Sequence, residues 1–485
     1  MNEREQQRMD LPQVCRELIR TETSYPFSAA DRLVEPICLA DYGFVEKEYL
    51  VTGRSNVYRW KADGVTPEVK IPDVPYGSRL LVRRPEKSED FQGIVVVELM
   101  NWASFYDRSI PGWGHCYDYY LEHGIAWVGL AIRDKALEVM QRFDPERYAE
   151  LGFKNPVPAE EREEPAYSYG KKNTDPENEN GLTWDFISQT GVLLKTQTPE
   201  NPLYGFDVKK VMMTGATAGD TSLYACSIEP YHRMPDGVSP IYDGFLVYMT
   251  GAPGELSQCE RKFDEWQERC KFYCEVPYIH VLTCGDMGGE GWHPDWAVMQ
   301  RRPDADETGK KFHSYEIAGC GVRAGYDKLR CVCQEDVEKS RTPWRDTVNY
   351  EYEFPIRYIL RRATEELILW MTEGIEPPHG PKLLFDDQPY PQKKMLRDEL
   401  GHAQGGVRLP YVEAPLYRFD EQGGATRLPE ETILQMYEDR DDYLRKFITS
   451  AVGTVLDGFV LPEDGVEMIL EAIHETFPEK GACGE

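Results

Sequence analysis

The residues most able to do chemistry lie in Val211-Met212-Met213-Thr214-Gly215-Ala216-Thr217-Ala218-Gly219. This stretch reads as a buried strand that runs into a glycine-framed turn, with a helix behind it. A turn of this kind, a nucleophile elbow, lifts its central side chain above the sheet and aims the next backbone N–H at the same point. Serine is the usual central residue, and here it is Thr217. A threonine hydroxyl can act as a nucleophile. Its extra methyl crowds the line of attack, and a β-branched residue resists positive φ. Three readings stay open at this point: a slow or specialised nucleophile, a hydroxyl that only binds substrate, and a vestigial turn.

Acyl transfer at such a hydroxyl needs a base within about 3 Å, a carboxylate to orient the base, and donors for the developing oxyanion. The Ala218 amide is one expected donor, and the loop Asn101-Trp102-Ala103 supplies the other. Asp286 follows the strand Tyr278–Leu282 and is the expected carboxylate. The flanking Gly285 and Gly288 equally fit a turn aspartate. Two of the nine histidines stand near glycine-rich or acidic loops. His402, in Gly401-His402-Ala403-Gln404-Gly405-Gly406, is taken as the base in preference to His293. His280 and His313 fall in strand patterns, and the others have no motif around them. Glu290, His293 and Asp295 match no metal-binding spacing, so no metal and no cofactor is expected. The Cys320 thiol has nothing near it in sequence to activate it. Asp220 and Ser222 read as caps of the helix after the elbow, and Glu98 with Asn101 as a polar strand end that shapes a pocket.

These residues need a sheet to carry them. Gly53 to Lys70 alternates as antiparallel strands do, and Gly77 to Arg84 reads as another strand. Gly93–Met100, Ile125–Leu130, Lys209–Met213, Tyr242–Tyr248, Tyr278–Leu282 and Phe312–Ile317 are runs suited to strands covered on both faces. Helices are expected at Tyr117–His123, at Arg133–Gly152, at Gly181–Lys195 with Thr183 as N-cap, and at Ile356–Met371. More follow within residues 429–476. Apolar strands alternating with helices predict an α/β fold, with a mostly parallel sheet flanked by helices. The expected division is an N-terminal extension over 1–85 and a core over 86–378. Cover insertions fall near 133–180 and 252–275, and a C-terminal loop and helical segment spans 379–485.

The 485 residues carry 55 basic and 84 acidic side chains, a net charge of −29. That balance disfavours nucleic acid and anionic membranes as partners. The polar first 20 residues lack an apolar core of the signal-peptide kind, and the 12 cysteines include no C-x-x-C pair. A cytoplasmic location with reduced thiols is therefore expected, with a small-molecule substrate and room for homo-oligomers. Trp102, Phe105, Tyr106, Trp113, Trp292 and Trp296 in the covering segments point to an apolar or aromatic substrate.

Several segments together resemble a bacterial family described as alpha/beta hydrolase domain-containing proteins. They are Val95–Asn101, Phe143–Ala149, Leu182–Gln189, the elbow, Arg302-Pro303-Asp304, Tyr315–Gly319, Trp370–Pro378 and Gly405–Pro410. They span roughly residues 90–410. The resemblance implies an α/β-hydrolase fold, serine-hydrolase chemistry, and an acidic residue at Asp286. Two positions depart from the family pattern. Thr217 replaces the elbow serine, and Cys320-Gly321-Val322-Arg323 follows Tyr315–Gly319 where a histidine is the rule. The atypical triad leaves three functions in play: hydrolysis of a small ester, lactone or related carbonyl compound; a lyase or isomerase that uses the oxyanion hole; and a catalytically inactive ligand-binding homologue.

Overall fold

Long apolar runs in this chain have to be covered on both sides, and the fold is organised around them. The computed structural model describes residues 6–162, 175–216, 219–249, 256–257, 274–288, 301–321, 328–344, 353–389, 393–421 and 423–479. They fall into two units. Unit 1 is Met1–Tyr278, Asp306–Phe312 and Asp327–Asp346; unit 2 is Ile279–Ala305, His313–Tyr326 and Thr347–Glu485.

Unit 1 holds β1 (Gln7–Arg8), β2 (Val14–Glu17), β3 (Phe44–Trp60), β4 (Pro67–Pro85), β5 (Ile94–Leu99), β6 (Ala126–Leu130), β7 (Lys210–Ala216), β8 (His232–Arg233) and β9 (Gly244–Tyr248). Strands β1 and β8 form a separate parallel pair. The others run side by side in the order β9-β7-β5-β6-β4-β3-β2. Strands β6, β5, β7 and β9 are parallel, and every residue of β5, β6 and β9 is buried, as sheet strands covered by helices must be. On the other side β4 pairs antiparallel with β6 through Leu80↔Leu130 to Arg83↔Trp127. The alternating N-terminal sequence forms the long β3–β4 hairpin, in register from Phe44↔Pro85 to Trp60↔Pro67 with an irregularity near Val57. The N-terminal strands thus extend the sheet.

The helices of unit 1 include α1 (Gly112–Glu122), α2 (Asp134–Phe143), α3 (Thr183–Lys195) and the short α4 (Asp220–Leu223). The start of α1 has no cap from its own chain segment; Glu98 in β5 supplies one. Its carboxylate accepts from Gly112 N at 3.0 Å, Trp113 N at 2.9 Å and Trp127 Nε1 at 2.7 Å. Burial pushes the Glu98 carboxyl up to about 7, while these donors and Arg83 pull it back. Glu98 therefore fastens a helix to the sheet, with its carboxylate engaged by these three donors. Thr183 is not the N-cap either. A short turn over Asn180–Leu182 precedes it, Glu179 accepts from Gly181 N at 2.8 Å, and Thr183 already has helical backbone. The expected Arg133–Gly152 helix stops at Phe143, and turns carry the chain on to Gly152.

One buried cluster has the composition of a nucleophilic triad and none of its access. Ser188 Oγ lies 2.7 Å from His232 Nδ1, His232 Nε2 lies 2.9 Å from Tyr58 OH, and Tyr58 donates to Asp185 at 2.6 Å. Ser188, His232, Asp185 and Tyr58 are all buried. Desolvation drops His232 to about 3, so it stays neutral and the chain of hydrogen bonds clamps β3, α3 and β8 together.

Unit 2 contains all but the first residue of β10 (Tyr278–Thr283) and of β11 (Phe312–Ile317), together with α5 (Arg357–Thr372), α6 (Arg440–Leu456) and α7 (Pro462–His474). An apolar cluster of Leu282, Cys284, Met287, Ala318, Leu383, Met395 and Ala403 joins the end of β10 to the loops beyond α5. Arg361 on α5 pairs with Asp464 on α7 at 2.6 Å. Among the described residues no helix is long and apolar enough to cross a membrane, and nine cysteines are thiols outside any disulfide.

Candidate functional site

Strand β7 ends at Ala216, and the chain resumes at Gly219 with φ of 73° before α4. Thr217 and Ala218 between them lie outside the described residues, but their surroundings are defined. Gly215 is packed so closely that a Cβ there would meet Thr221 Oγ1 at 2.2 Å, so only glycine lets the strand end and the first turn of α4 approach this far. Glycine in the left-handed region at 219 lets the chain reverse into the helix without strain.

The loops that follow β5, β6 and β7 meet at this point. Asn101, just beyond β5, donates from Nδ2 to Ala216 O at 3.3 Å, and its Oδ1 accepts from Ala103 N at 3.1 Å and Arg108 Nη2 at 2.9 Å. The Asn101 side chain therefore ties the loop Asn101–Arg108 to the residue before Thr217. Asp220, the first residue of α4, accepts from Trp102 Nε1 at 3.1 Å and forms an ion pair with Arg133, which follows β6. The Arg133 guanidinium also sits 5.3 Å from the centre of the Trp102 ring. Asp220 reads as a helix cap in the sequence; here its carboxylate joins three strand-end loops. Ser222, the other expected cap, meets Tyr278 OH at 3.0 Å. In open α/β sheets ligands bind beyond the strand C-termini, and this is where the loops converge.

Two non-glycine residues there hold left-handed backbone: Phe105 with φ of 70°, after β5, and Met249 with φ of 64°, after β9. Strain of this kind gathers at functional sites. Next to Met249, Tyr248 pairs with Ala216 across the sheet. The buried His115 of α1 lies edge-on to it, with ring centres 6.5 Å apart. No sequence signal marks His115, because only the fold brings α1 and the end of β9 together here.

Among the expected donors, the Asn101 amide is engaged: Asn101 N donates to Arg108 O at 2.8 Å. Of the aromatic residues, Trp102 and Tyr106 lie in this loop, with Tyr106 stacked on Trp344 at 5.9 Å. Trp113 does not cover the site. It is buried in α1 against Trp127 and under the Arg83 guanidinium. Trp292 and Trp296 lie outside the described residues, as do Glu290, His293, Asp295 and most of the 252–275 insertion.

Asp107, in the same loop, is fully buried. Among the described residues neither carboxylate oxygen has a hydrogen-bond partner, and its closest cation is Arg79 at 3.7 Å. Desolvation pushes its carboxyl up to about 7, against the pull of Arg79. Its folded pKa is above the unfolded value of about 3.9, so its contribution favours the fold at low pH and is lost as pH rises through 7. Asp107→Asn is therefore expected to match the parent near pH 4 and to exceed it by roughly 2–4 kcal/mol at pH 8. Urea unfolding of both chains across that range checks this, and equal stability differences at both ends would contradict it.

Asp286 and His402 belong to unit 2. Asp286 Oδ2 accepts from Thr283 N at 3.0 Å and Thr283 Oγ1 at 2.8 Å, an arrangement that closes the turn after β10. His402 is buried, and its Nε2 accepts from Phe419 N at 3.2 Å. That bond commits the lone pair a general base would use and puts the ring proton on Nδ1, 3.9 Å from Asp398. Desolvation lowers the His402 pKa, with Asp398 opposing. Cys320 is buried too, with its carbonyl accepting from Gly285 N at 3.2 Å.

Comparison with known proteins gives one extensive match: a family profile described as "Alpha/beta hydrolase domain" aligns with residues 14–470. No curated protein matches the chain in sequence. Solved structures with similar folds include a protein from Klebsiella pneumoniae subsp. pneumoniae assigned as a dienelactone hydrolase, at 11% identity and a TM-score of 0.28 over 60% of this chain and 95% of that one. Esterase 2 of Thermogutta terrifontis matches at 11% identity and a TM-score of 0.28, over 54% and 82%. A cold-adapted esterase from an Arctic intertidal metagenomic library matches at 10% identity and a TM-score of 0.26, over 56% and 85%.

Proposed function

The chain belongs to the alpha/beta hydrolase domain family, and from that premise we propose that it hydrolyses a small apolar or aromatic ester or lactone at Thr217. The support is the convergence of three strand-end loops on Asp220, one residue past the glycine that follows Thr217 and Ala218. In this reading the Thr217 hydroxyl attacks the carbonyl as His115 takes its proton, the Ala218 and Trp102 amides hold the oxyanion, and the alcohol leaves with that proton to give an acyl-threonine. Water then releases the acid. His115 is the assigned base, since it lies in the same unit, buried beside the strand partner of Ala216. Trp102 and Tyr106 supply apolar surface for the acyl or alcohol group.

The test is turnover of p-nitrophenyl butyrate and of an aromatic lactone in water enriched in oxygen-18. The expected result is release of the acid with one oxygen-18 atom per turnover. Product without the label would replace hydrolysis by elimination or isomerisation. Ligand binding without any turnover would leave the inactive-homologue reading.

A further inference from the structure

Three side chains from separate segments meet in unit 2, and none of them takes part in the site described above. Asp304, ahead of β11, His313, within β11, and His379, beyond α5, each offer one ligand atom, and these atoms all lie within 4.8 Å of one another. We propose that they bind a single divalent first-row metal ion, with zinc as the reference case.

The first argument is the orientation of His313. Its Nδ1 lies 3.1 Å from Pro378 O. A carbonyl can only accept, so Nδ1 carries the proton and the lone pair belongs to Nε2. Metal-binding histidines are held in this way, with the second nitrogen donating to a carbonyl or carboxylate that fixes the tautomer. The ring is buried and set edge-on to Trp370 at 5.1 Å, so its direction is fixed by packing.

The second argument is the division of labour in the Asp304 carboxylate. Oδ1 accepts from Lys382 Nζ at 2.8 Å and from Ser314 N at 3.1 Å. Oδ2 lies 3.4 Å from His379 Nδ1. That is longer than a usual N–H···O hydrogen bond, about 2.7–3.2 Å. It equals the edge of a tetrahedron with bonds of about 2.0–2.1 Å to nitrogen and oxygen, which is about 3.3–3.4 Å. Two imidazoles and one carboxylate are a donor set that zinc takes with a fourth position left for water. The His379 side chain is 62% exposed, which gives the ion a path in and lets that ring swing to close the set. Lys382 weakens the attraction for a cation, because its ammonium shares the carboxylate, and it sets an upper limit on affinity. Bound metal would pin the segment after α5 to β11.

The experiment uses the full chain after chelator treatment and desalting. Zinc is titrated calorimetrically, and cobalt(II) by visible absorption. One zinc per chain is expected, with cobalt bands of a nitrogen–oxygen site and no thiolate charge transfer. His379→Ala, an exposed substitution that leaves the fold intact, is expected to weaken zinc binding at least about 10–100-fold and to abolish the cobalt bands; Asp304→Asn is expected to weaken it in the same direction. Equal zinc affinity in the parent and His379→Ala would overturn the proposal. So would a parent that takes up no zinc, or cobalt bands of thiolate character that persist in His379→Ala.

Discussion

Thr217→Ala is expected to lower kcat/KM for an aryl ester by at least about a thousandfold, about 4 kcal/mol of transition-state stabilisation, with no change in thermal midpoint. The loss falls on kcat if the hydroxyl is a nucleophile, because a bond made only in the transition state is removed. A hydroxyl that merely binds substrate gives a rise in KM with kcat kept. Thr217→Ser separates the readings further. Serine lacks the methyl that crowds the attack and resists the turn, so it is expected to equal or exceed the parent. Steady-state kinetics of the three proteins checks this, and unchanged kcat/KM in Thr217→Ala would remove threonine from the mechanism.

Asp220→Ala carries the second large effect. Its carboxylate is almost wholly buried between Trp102 Nε1 and the Arg133 guanidinium. Removing it leaves a cation with little access to water and an indole N–H without its acceptor, which costs about 3–5 kcal/mol. It also frees the Asn101–Arg108 loop and the start of α2 from α4, so activity is expected to fall more than stability alone explains. Chemical denaturation gives the stability change, and kinetics at a temperature where the variant is folded gives the other. Asp220→Asn, which keeps an acceptor for Trp102 and loses the charge, is expected to lie between. A stability change below about 1 kcal/mol in Asp220→Ala, the range of exposed ion pairs, would show that the three loops are held by other contacts.

The sheet was readable from the sequence because its signals are local. Continuous apolar runs at 94–99, 126–130 and 244–248 admit few alternatives to buried strands, and the alternation from Gly53 onward exposes the β3–β4 hairpin. Gly215 and Gly219 marked the turn after β7 for the reason the structure displays, a close approach and a left-handed residue. What escaped was everything fixed by strand order. Arg133 and Asp220 are 87 residues apart, and they meet because β6, β5 and β7 are neighbours. Glu98 looked like a pocket residue because a carboxylate in an apolar strand demands an explanation, and helix α1 supplies it across the sheet. His402 stood out by its glycines, yet its ring nitrogen is spent on Phe419 N, a contact 17 residues away that no local motif encodes. His313 and His379 were hidden in the same way, one inside a strand and the other in a loop 66 positions later.

Covalent trapping tests chemistry at Thr217 most directly. The full chain is treated with a fluorophosphonate, digested, and mapped by mass spectrometry, with Thr217→Ala and Thr217→Ser in parallel. The predicted result is one adduct on the peptide containing Thr217, absent from the alanine variant and formed faster on the serine variant. An unlabelled parent, whether or not the serine variant is labelled, or an adduct on any other residue, would contradict it.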